Sequence, residues 1–198
     1  AVKRLDVRLG QDVVVFGPGP IGLMMVQLAK ATGAGRVALI GRRDYPLGAG
    51  KRVGADLIIN TADEASEWYA PDAAARIREA FGHPAPRAIV ATANMQALQS
   101  ALDVTGNSST VVYFGLPGPA DKLEIPMLEA IQSNRTIKCS WLAPLVWDNV
   151  FAAIASGQVD LSPILTHRFA LKDAEEGIRF MKNSREDKIK GVVLVGGE

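Results

Sequence analysis

The chain has 198 residues, which is enough for one ordinary domain with an appendage or for two small domains. Hydrophobic residues make up 48% of it and charged residues 22%, as in globular proteins, and the formal net charge of +1 excludes a global field that would attract nucleic acid or a membrane surface. A single cysteine excludes an internal disulfide framework and a cysteine-rich zinc site.

Short apolar runs alternate with helical patterns over the first 140 residues. The first run, residues 12–16, is mostly β-branched, as expected for a parallel strand buried on both faces. The predicted strands are residues 12–16, 36–40, 56–59, 87–91, 110–114 and 136–140, and the predicted helices are residues 20–32, 47–53, 73–81, 95–104 and 123–133. Strands separated by helices in this way predict an α/β fold with a doubly wound, six-stranded, mostly parallel sheet and helices on both faces.

The last part of the chain has a different pattern. The elements predicted there are a helix over residues 144–156, a strand over 164–169, a helix over 172–181 and a strand over 191–195. After residue 157 only two predicted strands and one predicted helix remain, and these are too few to bury a core of their own. We therefore divide the chain into a sheet domain, residues 1–157, and a short C-terminal segment, residues 158–198. This segment either extends the sheet domain or completes a second domain whose remainder lies outside this chain.

The loop after the first predicted strand carries a glycine-rich motif, Gly17-Pro18-Gly19-Pro20-Ile21-Gly22, which matches the pattern G-x-G-x-x-G. Gly17 permits a tight turn, Gly19 lets the backbone approach a pyrophosphate, and Gly22 lets the helix pack closely on the sheet. The predicted helix has Pro20 and Ile21 in its first turn, and its N-terminus offers free N–H groups and the positive end of the helix dipole to the phosphates. The motif predicts a Rossmann dinucleotide-binding domain, with a plain glycine-rich turn as the alternative.

The end of the second predicted strand indicates which dinucleotide binds. NAD-binding units place Asp or Glu there to bind the ribose 2′-hydroxyl, whereas this chain has Gly41-Arg42-Arg43. Arg binds a phosphate monoester through two hydrogen bonds, so the pattern predicts that NADP(H) is preferred over NAD(H). Two alternatives stay open: the arginines form a solvated basic pair, or Asp44 partly neutralises them or itself reaches the ribose. Tyr45 is interpreted as a surface residue rather than as a partner for the adenine.

Candidates for a nucleophile or a metal ligand are few and scattered. Cys139 lies in a predicted buried strand, where cysteine usually behaves as a small inert hydrophobe. His83 lies in a predicted loop, where a histidine is normally solvated, and His167 lies far from both residues in the sequence. Zinc needs three or four ligands at short spacing. We therefore expect this chain to bind no zinc and to contain no catalytic residue.

These motifs resemble the cofactor domain of the zinc-type medium-chain alcohol, polyol and threonine dehydrogenases. The resemblance runs over nearly the whole chain. Residues 17–23 have that family's form of the fingerprint, and residues 54–60 resemble its third-strand segment. Residues 41–43 look like those of NADP-using members, since NAD-using members carry Asp at the Gly41 position. Residues 166–171 and 189–194 resemble the C-terminal segment that returns to the catalytic domain.

Carried over position by position, the resemblance implies six further cofactor-binding residues. They are Thr92 and Ala93 near the ribose, Gly115 and Leu116 beside the nicotinamide, Ser140 by the carboxamide, and Lys190 near the pyrophosphate.

The resemblance also implies an activity: hydride transfer between the nicotinamide cofactor and a small alcohol/carbonyl pair. Members of this family carry a catalytic domain of about 150 residues before the cofactor domain. That domain holds the zinc ligands and the proton-relay hydroxyl. We expect this chain to be an excised or truncated portion of such an enzyme that binds cofactor without turnover, with His167 at the interface to the absent domain.

Two other functional classes remain as alternatives. One is a non-catalytic NAD(P)H-binding module that acts as a sensor or assembles with a partner. The other is a methyltransferase-like binder of S-adenosylmethionine, which the glycine spacing and the arginine pair disfavour. Competition between the two ligands distinguishes this last class from a dinucleotide-binding protein.

Apolar residues cluster after the sixth predicted strand, at Leu142, Leu145, Val146 and Trp147. An apolar patch of more than a few hundred Å² usually contacts a partner, so we predict a homo-oligomer, and the resemblance implies pairing through a sheet edge. No apolar run is long enough for a transmembrane helix, and residues 1–6 lack the apolar region of a secretory signal. We expect a cytoplasmic protein without nucleic-acid or membrane partners.

Overall fold

The computed structural model describes residues 1–142 and 146–196. Its main feature is a six-stranded sheet, whose strands are β1 (Val13–Phe16), β2 (Val37–Gly41), β3 (Leu57–Asn60), β4 (Ala85–Val90), β5 (Thr105–Tyr113) and β6 (Thr136–Cys139). All neighbours pair in parallel, in the order β3-β2-β1-β4-β5-β6. This is the strand order of the doubly wound dinucleotide-binding fold, so the predicted Rossmann sheet is confirmed.

Helices cover both faces of the sheet, as predicted. The α-helices of the described residues are α1 (Val2–Leu5), α2 (Pro20–Ala31), α3 (Asp44–Arg52), α4 (Ala73–Phe81), α5 (Met95–Asp103), α6 (Met127–Gln132), α7 (Trp147–Ala155) and α8 (Ala174–Asn183). Ile77 of α4 packs in one core with Val14, and Leu23 of α2 and Leu47 of α3 pack in the other with Val15. Because both faces of β1 are covered, its sequence is a continuous apolar run rather than an alternating one.

The helix α1 is an element that the sequence analysis did not predict. It has only four residues, too few for a helical period to be visible, but its Leu5 is fully buried against the core that contains α2. In the described ranges, 1–142 and 146–196, no helix combines the length and the apolar composition needed to cross a membrane.

The strands β4 and β5 both begin earlier than predicted. β4 includes Pro86, which lies before the predicted strand of residues 87–91. Proline cannot donate a backbone hydrogen bond, and the pairing with β5 shifts register at this place, between Ala85 and Arg87. Ala85 pairs with Thr105, whereas Arg87 pairs with Thr110. This irregular pairing is invisible in the pattern of one strand alone.

Cys139 is exposed, so the prediction that it is buried is wrong. It lies on β6, which is the edge strand of the sheet and, among the described residues, pairs with β5 alone. The neighbouring helix α6 has no buried residue, so it leaves this edge uncovered. The sequence predicted the strand correctly, but burial depends on what covers it.

His83 is exposed, as expected for a solvated histidine, and it also contacts a cluster at the amino-terminal ends of the strands. Its Nε2 lies 3.3 Å from Oδ2 of the buried Asp12. Arg36 Nε donates to both Asp12 oxygens, and its guanidinium carbon lies 4.5 Å from the centre of the Phe81 ring. The hydrogen bond to Asp12 raises the pKa of Arg36. The cluster ties β1, the start of β2 and the end of α4 together.

The C-terminal segment forms a small second sheet of two parallel strands, β7 (Leu165–Ala170) and β8 (Lys190–Leu194), joined by α8. Before β7 the chain packs against α2, where Ile164 is buried at 2% exposure. The Gln27 amide donates to Asp160 O at 2.9 Å and accepts from Asp160 N at 2.6 Å. The segment is therefore joined to the main core, and a boundary at residue 157 remains a prediction.

Candidate functional site

A cavity of about 560 Å³ lies at the carboxyl ends of β1, β2 and β4. In a doubly wound sheet this is where the strand order reverses, and ligands bind there. The cavity brings together parts of the chain that are distant in sequence. Its lining includes Gly17, Pro18, Gly19, Pro20, Gly41, Arg42, Arg43, Thr61, Thr92 and Lys188.

The turn after β1, residues 17–22, has the geometry that a bound phosphate requires. Gly17 has a φ of +96°, and a Cβ there would lie 3.2 Å from Ala91 O. A Cβ at Gly22 would lie 1.8 Å from Gly17 O, so this glycine allows the helix to pack on the turn itself. A Cβ at Gly19 would meet no atom within 4 Å, because this residue faces the open cavity. The turn therefore fits a dinucleotide pyrophosphate.

Four helices begin at or near this cavity, and their N-termini differ: Arg43, the N-cap of α3, makes no side-chain cap hydrogen bond. Asp72 accepts from Ala75 N at 2.9 Å and Asn94 accepts from Ala97 N at 3.0 Å, so side chains cap α4 and α5. The N-cap of α2 is Gly19, which has no side chain to accept a hydrogen bond. The N–H groups of the first turn of α2 thus remain available to an anion.

Gly41 ends β2 beneath the ring of Pro18. A Cβ at position 41 would lie 2.5 Å from Pro18 Cγ and 3.1 Å from Leu47 Cδ2. In the sequence, charge is the reason inferred for the missing acidic residue at position 41. The structure adds a steric cause, since position 41 has no room for any side chain.

Arg42 and Arg43 follow Gly41, are both exposed, and both line the cavity. Within the part of the chain that the structure describes, neither guanidinium forms an ion pair. Asp44, the possible competitor, accepts from Asn60 Nδ2 and from Ser66 Oγ, each at 2.7 Å. Asp44 is not among the cavity-lining residues, so this end of the cavity carries two positive charges.

Asn60 is the residue that holds Asp44, and the sequence analysis did not identify it. It ends β3 and is fully buried. While its amide nitrogen donates to Asp44, its Oδ1 accepts from the N–H groups of Ala62 and Asp63, at 2.9 and 3.0 Å. A lone polar residue at the end of an apolar strand was the signal that could have identified it.

The residues that the resemblance implied are only partly brought together. Thr92 lines the cavity, and a Cβ at Gly115 would lie 1.9 Å from Thr92 O, so the ends of β4 and β5 meet. Ala93 and Leu116 are exposed and do not line this cavity. Ser140 is half-buried beyond β6 and donates its N–H to Tyr113 O at 2.8 Å.

Lys190 also lies outside the cavity lining, on β8, whereas Lys188 lines the cavity. The Lys188 ammonium donates to Phe180 O at 2.8 Å and to Ser184 O. The C-terminal segment therefore contributes Lys188 to the cavity, two positions before Lys190, the residue that the resemblance implied. Tyr45 is half-buried and is not part of the cavity lining.

No metal site is found in the described residues: they contain no group of three or more His, Cys, Asp or Glu side chains that could hold a metal ion. His167 lies on β7, where its Nδ1 is 2.9 Å from Thr166 Oγ1 and its ring centre is 4.8 Å from that of Phe180. These residues do not fit a zinc site, so we assign no metal chemistry to them.

Comparison with known proteins agrees with this geometry. The sequence model of a family described as "Zinc-binding dehydrogenase" matches residues 20–156. Sorbitol dehydrogenase of Rattus norvegicus is 31% identical over 182 residues, which are 92% of this chain and 49% of that protein. The chain spans about half the length of the curated relatives it matches.

Solved structures share the fold. A short chain alcohol dehydrogenase from E. coli CFT073, solved with NADH, has a TM-score of 0.84 and 20% identity, and the match covers 98% of this chain and 55% of that one. A protein from Sinorhizobium meliloti 1021, solved bound to NADP, has the same TM-score, identity and coverage. One of these neighbours was solved with NADH and the other with NADP. The likeness in fold therefore does not distinguish between the two cofactors.

Proposed function

Because the chain belongs to the zinc-binding dehydrogenase family, we propose that it is the NADP(H)-binding portion of a medium-chain alcohol- or polyol-type dehydrogenase. In such an enzyme the nicotinamide accepts or donates the hydride exchanged with an alcohol/carbonyl pair. The part played by this chain is to bind and orient the dinucleotide. Sorbitol dehydrogenases among the relatives support a polyol as the substrate class.

The fingerprint turn supports binding of the pyrophosphate. Gly17 shapes the turn, Gly19 faces the cavity, and the N-terminus of α2 has no side-chain cap, unlike those of α4 and α5. Thr92, beside Gly17, would contact the ribose. These contacts position the cofactor but do not distinguish NADP(H) from NAD(H).

The observation that supports a preference for NADP(H) is that the positive charges after β2 face the cavity while the nearest carboxylate does not. Arg42 and Arg43 line the cavity without an ion-pair partner among the described residues, and the Asp44 carboxylate is engaged by Asn60 and Ser66. A 2′-phosphate carries about −1.5 to −2 charges near pH 7. It would bind two guanidinium groups, whereas the 2′-hydroxyl of NAD(H) offers them no charge.

Calorimetric titration of this chain with NADPH and with NADH tests the proposal. We expect tighter binding of NADPH, and we expect Arg42→Ala or Arg43→Ala to weaken NADPH binding about 10- to 100-fold while changing NADH binding little. Arg78→Ala, which removes an exposed guanidinium from α4, is the matched control. Given sorbitol and NADP⁺, the chain should form no NADPH.

Equal affinities for the two dinucleotides would reduce the arginine pair to a solvated surface feature and leave only the dinucleotide site. Absence of binding to both would contradict the proposal for this chain. Steady formation of NADPH from the chain alone would contradict its assignment as a cofactor-binding portion.

A further inference from the structure

Pro18 and Gly41 are in a contact that allows no side chain at position 41. A Cβ built on Gly41 would lie 2.5 Å from Pro18 Cγ and 2.7 Å from Pro18 Cδ. Non-bonded carbon atoms are normally 3.5 to 4.0 Å apart. On the other side, Leu47 Cδ2 would lie at 3.1 Å, and Leu47 is fully buried in the core.

Neither backbone is free to move away. Gly17, just before Pro18, donates its N–H to Ile40 O at 2.9 Å, which ties the turn to β2 one residue before Gly41. The carbonyl of Gly41 accepts from Thr61 N at 2.9 Å, at the point where β2 and β3 are paired. The proline ring is rigid because it closes on its own backbone nitrogen. The contact is therefore held from both sides.

We propose that Pro18 is a specificity-determining residue of the dinucleotide site. Its ring restricts position 41 to glycine, which keeps a ribose-binding carboxylate out of the cavity and leaves that end to Arg42 and Arg43. The consequence for nucleotide choice rests on the proposed function, whereas the steric coupling between positions 18 and 41 does not.

A double-mutant cycle in thermal unfolding tests the coupling without any ligand. Gly41→Ala should lower the Tm by about 5 °C, since overpacking a tight site is destabilising. Adding Pro18→Ala, which removes Cγ and Cδ, should restore most of that loss in the double variant. Gly48→Ala in α3 is the matched control: its Cβ would meet Trp68 Cη2 at 3.7 Å, an ordinary contact, so the Tm should not fall.

A second arm follows nucleotide choice by calorimetry. We expect the double variant Pro18→Ala with Gly41→Asp to fold and to lower the preference for NADPH over NADH at least tenfold. Gly41→Asp alone should lose thermal stability and bind both dinucleotides more weakly.

Each outcome decides a separate question. Additive effects of Pro18→Ala and Gly41→Ala on the Tm would overturn the coupling, as would a Gly41→Asp protein with the wild-type Tm and an inverted preference. The third possible result is that the effects on the Tm are non-additive while the wild-type protein binds NADPH and NADH equally. This result would support the coupling between positions 18 and 41 and refute the proposed preference for NADP(H).

Discussion

At the scale of single residues, the acidic group nearest to the arginine pair is occupied elsewhere. Asp44 is next to Arg43 in sequence, yet its carboxylate accepts hydrogen bonds from Asn60 and Ser66. Asn60 is fully buried, so its amide depends on that carboxylate for a partner. From the sequence alone, the Asp44 carboxylate would be expected to offset part of the positive charge of Arg42 and Arg43. In the structure, its hydrogen bonds keep the carboxylate outside the cavity lining.

Replacing Asp44 tests this assignment. Asp44→Ala should lower stability by about 1 to 3 kcal/mol, because it leaves the buried Asn60 amide without an acceptor. The ratio of NADPH to NADH affinity should stay within about threefold of wild type. Thermal unfolding and calorimetry measure the two effects, with Glu64→Ala as a control that removes an exposed carboxylate of equal charge. An unchanged Tm with weakened NADH binding would mean that Asp44 reaches the ribose.

At the scale of elements, α5 has a residue of unfavourable charge at its end. Asp103 is its last residue, where the helix dipole disfavours a carboxylate, and it lines the cavity. Partial desolvation is the main cause that raises the pKa of Asp103 above its ordinary 3.8, and the negative charge of the nearby Glu129 is the second cause. Ionisation is thus less favourable in the folded chain than in the unfolded chain.

The raised pKa of Asp103 destabilises the folded chain only at pH values where this carboxyl group is ionised. The destabilisation is absent below the ordinary pKa of 3.8 and fully present above the raised pKa. Asp103→Asn should therefore raise the Tm at pH 7 by about 1 to 3 °C, and the difference should vanish near pH 3. Thermal unfolding across pH measures this, with the exposed Asp187→Asn as control. A gain that persists at pH 3 would refute the electrostatic cause.

At the scale of the whole molecule, apolar side chains remain exposed after β6. Leu142 is 63% exposed and Trp147 is 62% exposed, as predicted, whereas Val146 is half-buried and Leu145 lies outside the described residues. The exposed edge strand β6 lies just before them. An apolar surface beside an unpaired strand edge favours association with another chain.

We therefore expect the chain to self-associate, as measured by sedimentation equilibrium over a range of concentrations. Trp147→Ser should weaken the association about tenfold or more, since it removes a large apolar contact. Leu9→Ser, at a residue that is 90% exposed in a different part of the chain, should leave it unchanged. A monomer at every concentration would contradict this prediction.

Local patterns were sufficient to predict the six strands, their parallel pairing and the turn of residues 17–22. These features depend on neighbouring residues: buried strands need continuous apolar runs, and the turn needs glycine where φ is positive or two backbones meet. The sequence by itself therefore determined the fold class and the place of the glycine-rich turn that lines the cavity.

Only the tertiary structure decided which residues meet across that site. Pro18 and Gly41, and likewise Asn60 and Asp44, are brought together by parallel strands that end at one edge of the sheet. The exposure of Cys139 and the place of His83 beside Asp12 were decided in the same way. Burial and pairing depend on what the rest of the chain places against a residue, and a local pattern contains no record of those distant contacts.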